Sequence, residues 1–67
     1  MKKIIVRYKL GEEEQKAVYS LSDDLKLYTE NGELIEKVSC VLEAEFSILS
    51  DIGFYGKLIS MEVQNET

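Results

Sequence analysis

Residues 33–51 constrain the fold most, because these nineteen positions contain no Gly, Pro or Asn. Their apolar side chains gather within about 160° of a helical wheel. Strands in globular proteins usually span about 3 to 10 residues, so length favours a helix here. Asn31 is a suitable N-cap, and Gly53 before Phe54 is a suitable stop. We therefore predict one helix whose buried stripe contains Leu34, Ile35, Val38, Val41, Leu42, Phe46, Ile48 and Leu49.

The same segment also fits a strand pattern, in which even-numbered residues share one face. Asn31 and Gly32 would then belong to a hairpin turn, and with Glu30, Asn31 and Gly32 as a three-residue loop the register would pair Lys26 with Glu36. Glu45 would face water in a strand, whereas in a helix it would lie in the apolar stripe and need a polar partner. Five residues are predicted to be buried in either case, namely Leu34, Val38, Leu42, Phe46 and Ile48.

Four strands are predicted around this segment from alternation and turn residues. They span residues 2–10, 16–21, 25–29 and 54–63. The predicted fold class is α+β, with a small antiparallel sheet of three to four strands and one helix packed on one face. The alternative is an all-β, five-stranded small barrel. Either way we expect 1–67 to form a single small globular domain.

The composition argues against a catalytic or metal-binding function and against a membrane-spanning segment. The chain has 45% hydrophobic residues, no His and one Cys, so the usual general base and a zinc ligand set are missing. No Gly-rich phosphate loop occurs, and no apolar run approaches the roughly 18 residues of a membrane span. We expect no catalytic residue, metal or cofactor, and therefore no enzyme. The lone Cys40 fits a reducing compartment, which predicts a cytoplasmic protein.

The charges are unevenly distributed along this acidic chain of net charge -5. Lys2, Lys3, Arg7 and Lys9 lie in the first nine residues without one acid. Lys3, Arg7 and Lys9 would project from one face of a strand, which is a candidate nucleic-acid contact. Tyr8 falls on the other face and cannot stack there, and a pI near 4.6 weighs further against nucleic acid.

Two aromatics between glycines form the most suggestive local feature, Gly53-Phe54-Tyr55-Gly56. In a strand, Phe54 would share a solvent-facing side with Leu58, and such aromatics are typical interface anchors. We assign Phe54, Tyr55 and Leu58 as candidate partner-binding residues. The predicted function is a small non-enzymatic intracellular interaction or regulatory module that binds another protein or a second copy of itself. A nucleic-acid-associated regulator is the alternative.

Overall fold

The computed structural model describes residues 1–65, with only the backbone described at Phe54 and Tyr55. Its elements are β1 (Lys2–Leu10), β2 (Glu13–Leu21), β3 (Lys26–Thr29), β4 (Leu34–Lys37), α1 (Val41–Tyr55) and β5 (Lys57–Asn65). The strands form an open antiparallel sheet of order β4-β3-β2-β1-β5, and α1 packs against one face. The predicted α+β class is confirmed. The barrel alternative is wrong because the sheet does not close.

The segment 33–51 divides between the two patterns that its sequence fits. Its first part is β4, which returns along β3 after a hairpin turn. The N–H of Thr29 donates to the carbonyl of Glu33 at 2.9 Å, and Gly32 N–H donates to Thr29 at 3.0 Å. Gly32 has a φ of 86°, a left-handed conformation that glycine adopts at little cost. A helix capped by Asn31 is therefore wrong, because these backbone groups pair in the hairpin.

The register of this hairpin also differs from the predicted one. Lys26 lies opposite Lys37, while Glu36 lies opposite Leu27. The predicted pair of Lys26 with Glu36 is wrong by one residue, because an irregularity between Leu27 and Tyr28 leaves Ile35 as an extra residue on β4. Glu36 instead faces α1, where it accepts a hydrogen bond from the hydroxyl of Ser47.

Helix α1 begins eight residues later and ends four residues later than predicted. Cys40 is its N-cap in extended conformation, and Ser39 N–H donates to the Glu43 carboxylate at 3.3 Å. The predicted stop at Gly53 is wrong, because the helix continues through it to Tyr55. Gly56 closes the last turn, its N–H donating to the carbonyl of Ile52 at 2.7 Å. The last strand consequently starts at Lys57 rather than at residue 54.

Strand β1 has the predicted bounds, but the connection to β2 is shorter than expected. Leu10 lies directly opposite Glu13, so the loop has two residues. Gly11 has a φ of 67° and Glu12 has no positive φ, the arrangement of a type II′ hairpin turn. The acidic residues after Gly11 therefore belong mostly to β2, which starts at 13 instead of 16.

The turn between β2 and β3 is held by side-chain hydrogen bonds. The hydroxyl of Ser22 donates to Asp24 and accepts the N–H of Lys26 at 3.0 Å. The hydrogen bond from Ser22 lowers the pKa of Asp24. The N-terminal ammonium lies 2.8 Å from Asp23 and lowers the pKa of that carboxyl. This ion pair links the N-terminus, which precedes β1, to the turn between β2 and β3.

The core lies between α1 and the sheet and is entirely apolar among the described residues. Its buried side chains are Ile4, Val6, Leu21, Leu27, Val38, Ala44, Ile48 and Ile52. Of the five residues predicted to be buried in either pattern, Val38 and Ile48 are buried. Leu34, Leu42 and Phe46 are exposed, at 56%, 57% and 61%. The prediction failed for Leu42 and Phe46 because Ala44, Ile48 and Ile52 set the inward face of α1.

Two glycines at the end of α1 should respond oppositely to the same substitution. A Cβ on Gly56 would lie 2.9 Å from Cδ2 of Tyr8 and 3.1 Å from the carbonyl oxygen of Lys9. We expect Gly56→Ala to lower the free energy of unfolding by about 1 to 3 kcal/mol through overpacking. A Cβ on Gly53 meets nothing within 4 Å. Gly53→Ala should stabilise the helix by up to about 1 kcal/mol. Urea unfolding of both variants measures the two changes in the free energy of unfolding. Changes of the same sign would contradict the packing at Gly56.

Candidate functional site

Helix α1 presents two different flanks on either side of its buried face. At 3.6 residues per turn, Ser47 and Asp51 lie on one flank, and Leu42 and Leu49 lie on the opposite one. Phe46 lies beside Leu42 on the side of the helix that is directed away from the sheet. Ser47 contacts Glu36, so the first flank faces the β4 edge of the sheet. The second flank is therefore directed towards β5, against which α1 also packs.

A half-open pocket of about 380 Å³ lies beneath the polar flank of α1. Its lining consists of Tyr19, Leu27, Thr29, Ile35, Ser47, Ile48 and Asp51. Burial raises the pKa of Tyr19, and the charge of Asp51 raises it further. The phenol is therefore protonated at neutral pH and can donate a hydrogen bond but cannot act as a base. The pocket offers hydrogen-bonding groups from Tyr19, Thr29, Ser47 and Asp51.

The opposite flank of α1, Phe46 beside it and the helix side of β5 carry a group of apolar side chains towards one edge of the fold. We call it the apolar edge surface, and its members are Leu42, Phe46, Leu49, Leu58, Met61 and Val63. Phe46 is 61% exposed, and Leu58 and Val63 are 42% and 37% exposed. Single exposed apolar residues are ordinary on a soluble protein, whereas a group of them on one side of the fold is a candidate interaction site.

Strand β5 borders this surface with an unpaired edge. It pairs with β1 on one side and is the last strand of the sheet. It is nine residues long, and Lys57 and Glu62 are its charged residues. Natural edge strands are usually short, or carry several charges that prevent pairing with another chain. One irregularity interrupts the strand, because Arg7 lies opposite Ser60 but Tyr8 lies opposite Leu58, which leaves Ile59 as an extra residue.

This irregularity changes the predicted environment of Leu58. Tyr8 and Leu58 are opposite each other, and Val6 is opposite Met61, so both β5 residues face the helix side. Leu58 therefore lies on the helix side of the sheet, and not with Phe54 on one side of a strand as predicted, because the extra residue shifts the alternation. Phe54 and Tyr55 lie in the last turn of α1 rather than in a strand, and their side chains lie outside the described part of the chain.

The three predicted basic residues lie together on the face of the sheet that α1 does not cover. Lys3 lies opposite Ser20, Arg7 opposite Lys16 and Lys9 opposite Glu14. Their alternation with the buried residues Ile4 and Val6 places them on the outer face, as predicted. Tyr8 is on the helix side, also as predicted. Sequence reasoning missed that other strands add cations to this face, because the strand register was unknown.

In residues 1–65, no three His, Cys, Asp or Glu side chains are arranged to hold a metal ion. Cys40 is an exposed free thiol at the start of α1. Within the same part of the chain, no helix has the length and apolar character needed to cross a membrane. No known protein family, curated protein or solved structure matches the chain.

Proposed function

We propose that this chain is a small, non-enzymatic interaction module that works by self-association through the apolar edge surface. The observation that supports this most is the combination of a nine-residue edge strand with an exposed apolar helix flank beside it. A partner at this edge gains backbone hydrogen bonds from β5 and apolar contacts from α1 at the same time. A cytoplasmic location, with Cys40 kept reduced, belongs to the same proposal.

A second copy of the chain is the partner that fits this surface. Two copies of β5 can pair antiparallel about a two-fold axis, which extends the sheet and brings the two α1 flanks together. Such an interface is self-complementary, so Leu42 and Phe46 of both copies become covered. Small domains of this length bury only about 60% of the surface that their unfolded chain exposes, and they commonly gain stability by association.

The residues of β5 favour one register for this pairing. Lys57 opposite Glu62 of the partner subunit would form an ion pair on the outer face, and two-fold symmetry would form it twice. In the same register, Leu58 lies opposite Met61 of the partner subunit on the helix side. One register therefore satisfies both the charges and the apolar residues of the strand.

A charge exchange within β5 tests the self-association and its register. Lys57→Glu would place an acid opposite Glu62 of the partner subunit, and two-fold symmetry would repeat this pair at the other end of the interface. Glu62→Lys would likewise place a cation opposite Lys57 of the partner subunit at both ends. We expect each single variant to weaken the dimer at least about tenfold, because opposed like charges are costly at an interface. The double variant Lys57→Glu, Glu62→Lys should recover association close to that of the native chain. Dissociation constants from sedimentation equilibrium measure these effects.

The matched control is Lys37→Glu, which changes the same charge on β4 at the opposite edge of the sheet. It should leave association unchanged. If both single variants associate as tightly as the native chain, the β5 register is wrong. If the double variant remains as weak as the singles, Lys57 and Glu62 do not face each other across the interface.

A further inference from the structure

The strand register collects almost all of the positive charge on the uncovered face of the sheet. The chain has eight Lys and Arg residues, and seven of them have the outward alternation. They are Lys3, Arg7, Lys9, Lys16, Lys26, Lys37 and Lys57. Two acids, Glu14 and Glu62, share this face by register. The outer face is therefore basic, although the chain as a whole is acidic.

Cations on this face also lie directly opposite one another on neighbouring strands. Arg7 is opposite Lys16, and Lys9 is opposite Lys57. Like charges at directly opposed positions destabilise a sheet. Lys26 and Lys37 form a third pair at the far end, where Asp24 lies 3.3 Å from Lys26 and offsets part of the repulsion.

The first two pairs form one cluster, which we call the basic corner: Arg7, Lys9, Lys16 and Lys57. All four side chains are exposed. Among the described residues, none of the four forms a side-chain hydrogen bond or an ion pair within 4.0 Å, not even Lys9 with the opposed Glu14. Adjacent strands are about 4.8 Å apart and alternate residues about 6.8 Å apart, so the four charges share a small area. An anionic ligand would relieve their mutual repulsion.

Apolar and aromatic groups separate the basic corner from the cations at the other end of the face. Ile5 lies opposite Val18 in the middle of the sheet, and Tyr28 on β3 lies opposite Ser20 on β2. All three apolar side chains are partly exposed. Tyr8 is on the helix side, but Tyr28 supplies an aromatic ring on the same face as the cations. This removes the objection that alternation keeps aromatics away from the charges.

We infer that the outer face of the sheet binds single-stranded nucleic acid. Phosphates would contact the basic corner, and a base would stack on Tyr28 or lie on the apolar middle of the face. A nucleic acid without a complementary strand presents its phosphates and its unpaired bases together. This matches a basic corner that lies beside an apolar and aromatic area. The acids that give the chain its net charge lie mainly in turns and on the helix side, for example Asp23, Glu36 and Glu43. Among the acids in the described strands, Glu14 and Glu62 are the two on the binding face.

Fluorescence anisotropy with a labelled oligothymidylate of about 20 nucleotides tests this inference. For about four phosphate contacts to a single strand, affinity should fall about 50-fold between 50 and 200 mM salt. Removing two contacts with Arg7→Gln, Lys16→Gln should reduce this salt effect to about sevenfold. The double variant should also bind at least about tenfold more weakly at 50 mM salt. Because it removes an opposed like-charge pair, it should melt no lower than the native chain.

Matched variants separate the face from the net charge. Lys2→Gln loses the same charge as Lys16→Gln, but Lys2 has the alternation of the helix side and donates to Asn65 at 2.5 Å. We expect Lys16→Gln to weaken binding and Lys2→Gln to leave it unchanged. Tyr28→Leu should weaken binding about fivefold or more through lost stacking. The titrations are read at protein concentrations below the dissociation constant of the dimer, because the proposed dimer would pair Lys57 with Glu62 of the partner subunit and leave only three cations of the basic corner free. Under these conditions a failure of self-association leaves the expected results unchanged.

Three results would overturn the inference. The first is no binding of the oligothymidylate at 50 mM salt. The second is equal binding by the native chain and the Arg7→Gln, Lys16→Gln variant. The third is a polyglutamate peptide of equal charge bound as tightly as the oligothymidylate, because a peptide has no bases to stack and would identify an acidic protein segment as the ligand.

Discussion

Leu27→Ala lowers the free energy of unfolding by about 2 to 5 kcal/mol, the range for removing a buried leucine side chain. Leu27 is fully buried at the centre of the core, beside the hairpin that carries β4. A domain of this length has a total stability of roughly 3 to 10 kcal/mol. The variant therefore loses a large part of its stability, and urea unfolding followed by circular dichroism measures the loss.

Leu34→Ala is the matched control for this substitution, because it removes the same atoms one strand away. Leu34 is 56% exposed on β4, so its truncation should change the free energy of unfolding by less than about 0.5 kcal/mol. The pair separates the observed fold from a continuous helix over 33–51, in which Leu34 would be buried. Equal losses at Leu27 and Leu34 would contradict the placement of β4.

The double variant Leu42→Ser, Phe46→Ser should weaken self-association by at least about 100-fold. Both side chains are more than half exposed in the single chain, and a second copy would cover them. Truncating a buried leucine or aromatic anchor at an interface typically costs about 2 kcal/mol or more. Because the two residues lie outside the core, the variant should remain folded, which the far-UV circular dichroism spectrum checks.

Leu34→Ser serves here as the control for surface hydrophobicity. Leu34 and Leu42 are almost equally exposed, but Leu34 lies on β4, at the opposite edge of the sheet. We expect Leu34→Ser to associate as the native chain does. If Leu34→Ser dissociates the dimer and Leu42→Ser, Phe46→Ser does not, the interface lies at the β4 edge.

The α+β class could be predicted because its strands have clear alternation and because one long segment permits a helix. The boundary between β4 and α1 inside 33–51 could not be predicted, since the apolar residues of this segment fit both the helical period and the strand period. The hydrogen bonds that Thr29 makes with Glu33, which join β3 to β4, decide the first part of that segment. The contact of Ser39 with Glu43 starts the helix after it. The spacing of these two residues is a local signal of a helix start, but a weak one beside the longer pattern.

The candidate sites could be predicted only in part, for a similar reason. The outward alternation of Lys3, Arg7 and Lys9 can be predicted from a single strand. The position of Lys16 beside them depends on the two-residue turn between β1 and β2, and that of Lys57 depends on the extra residue Ile59 in β5. The exposure of Leu42 and Phe46 depends on the rotation of α1, which the packing of Ile48 and Ile52 fixes. Periodicity alone cannot determine either one.

The mass of the native chain in solution tests self-association most directly. Sedimentation equilibrium over a series of protein concentrations should give a mass that rises from 7.7 kDa towards twice that value and then stays there, as a closed two-fold dimer requires. A mass of 7.7 kDa at every concentration up to about 1 mM, where even weak specific association is populated, would contradict the proposed function.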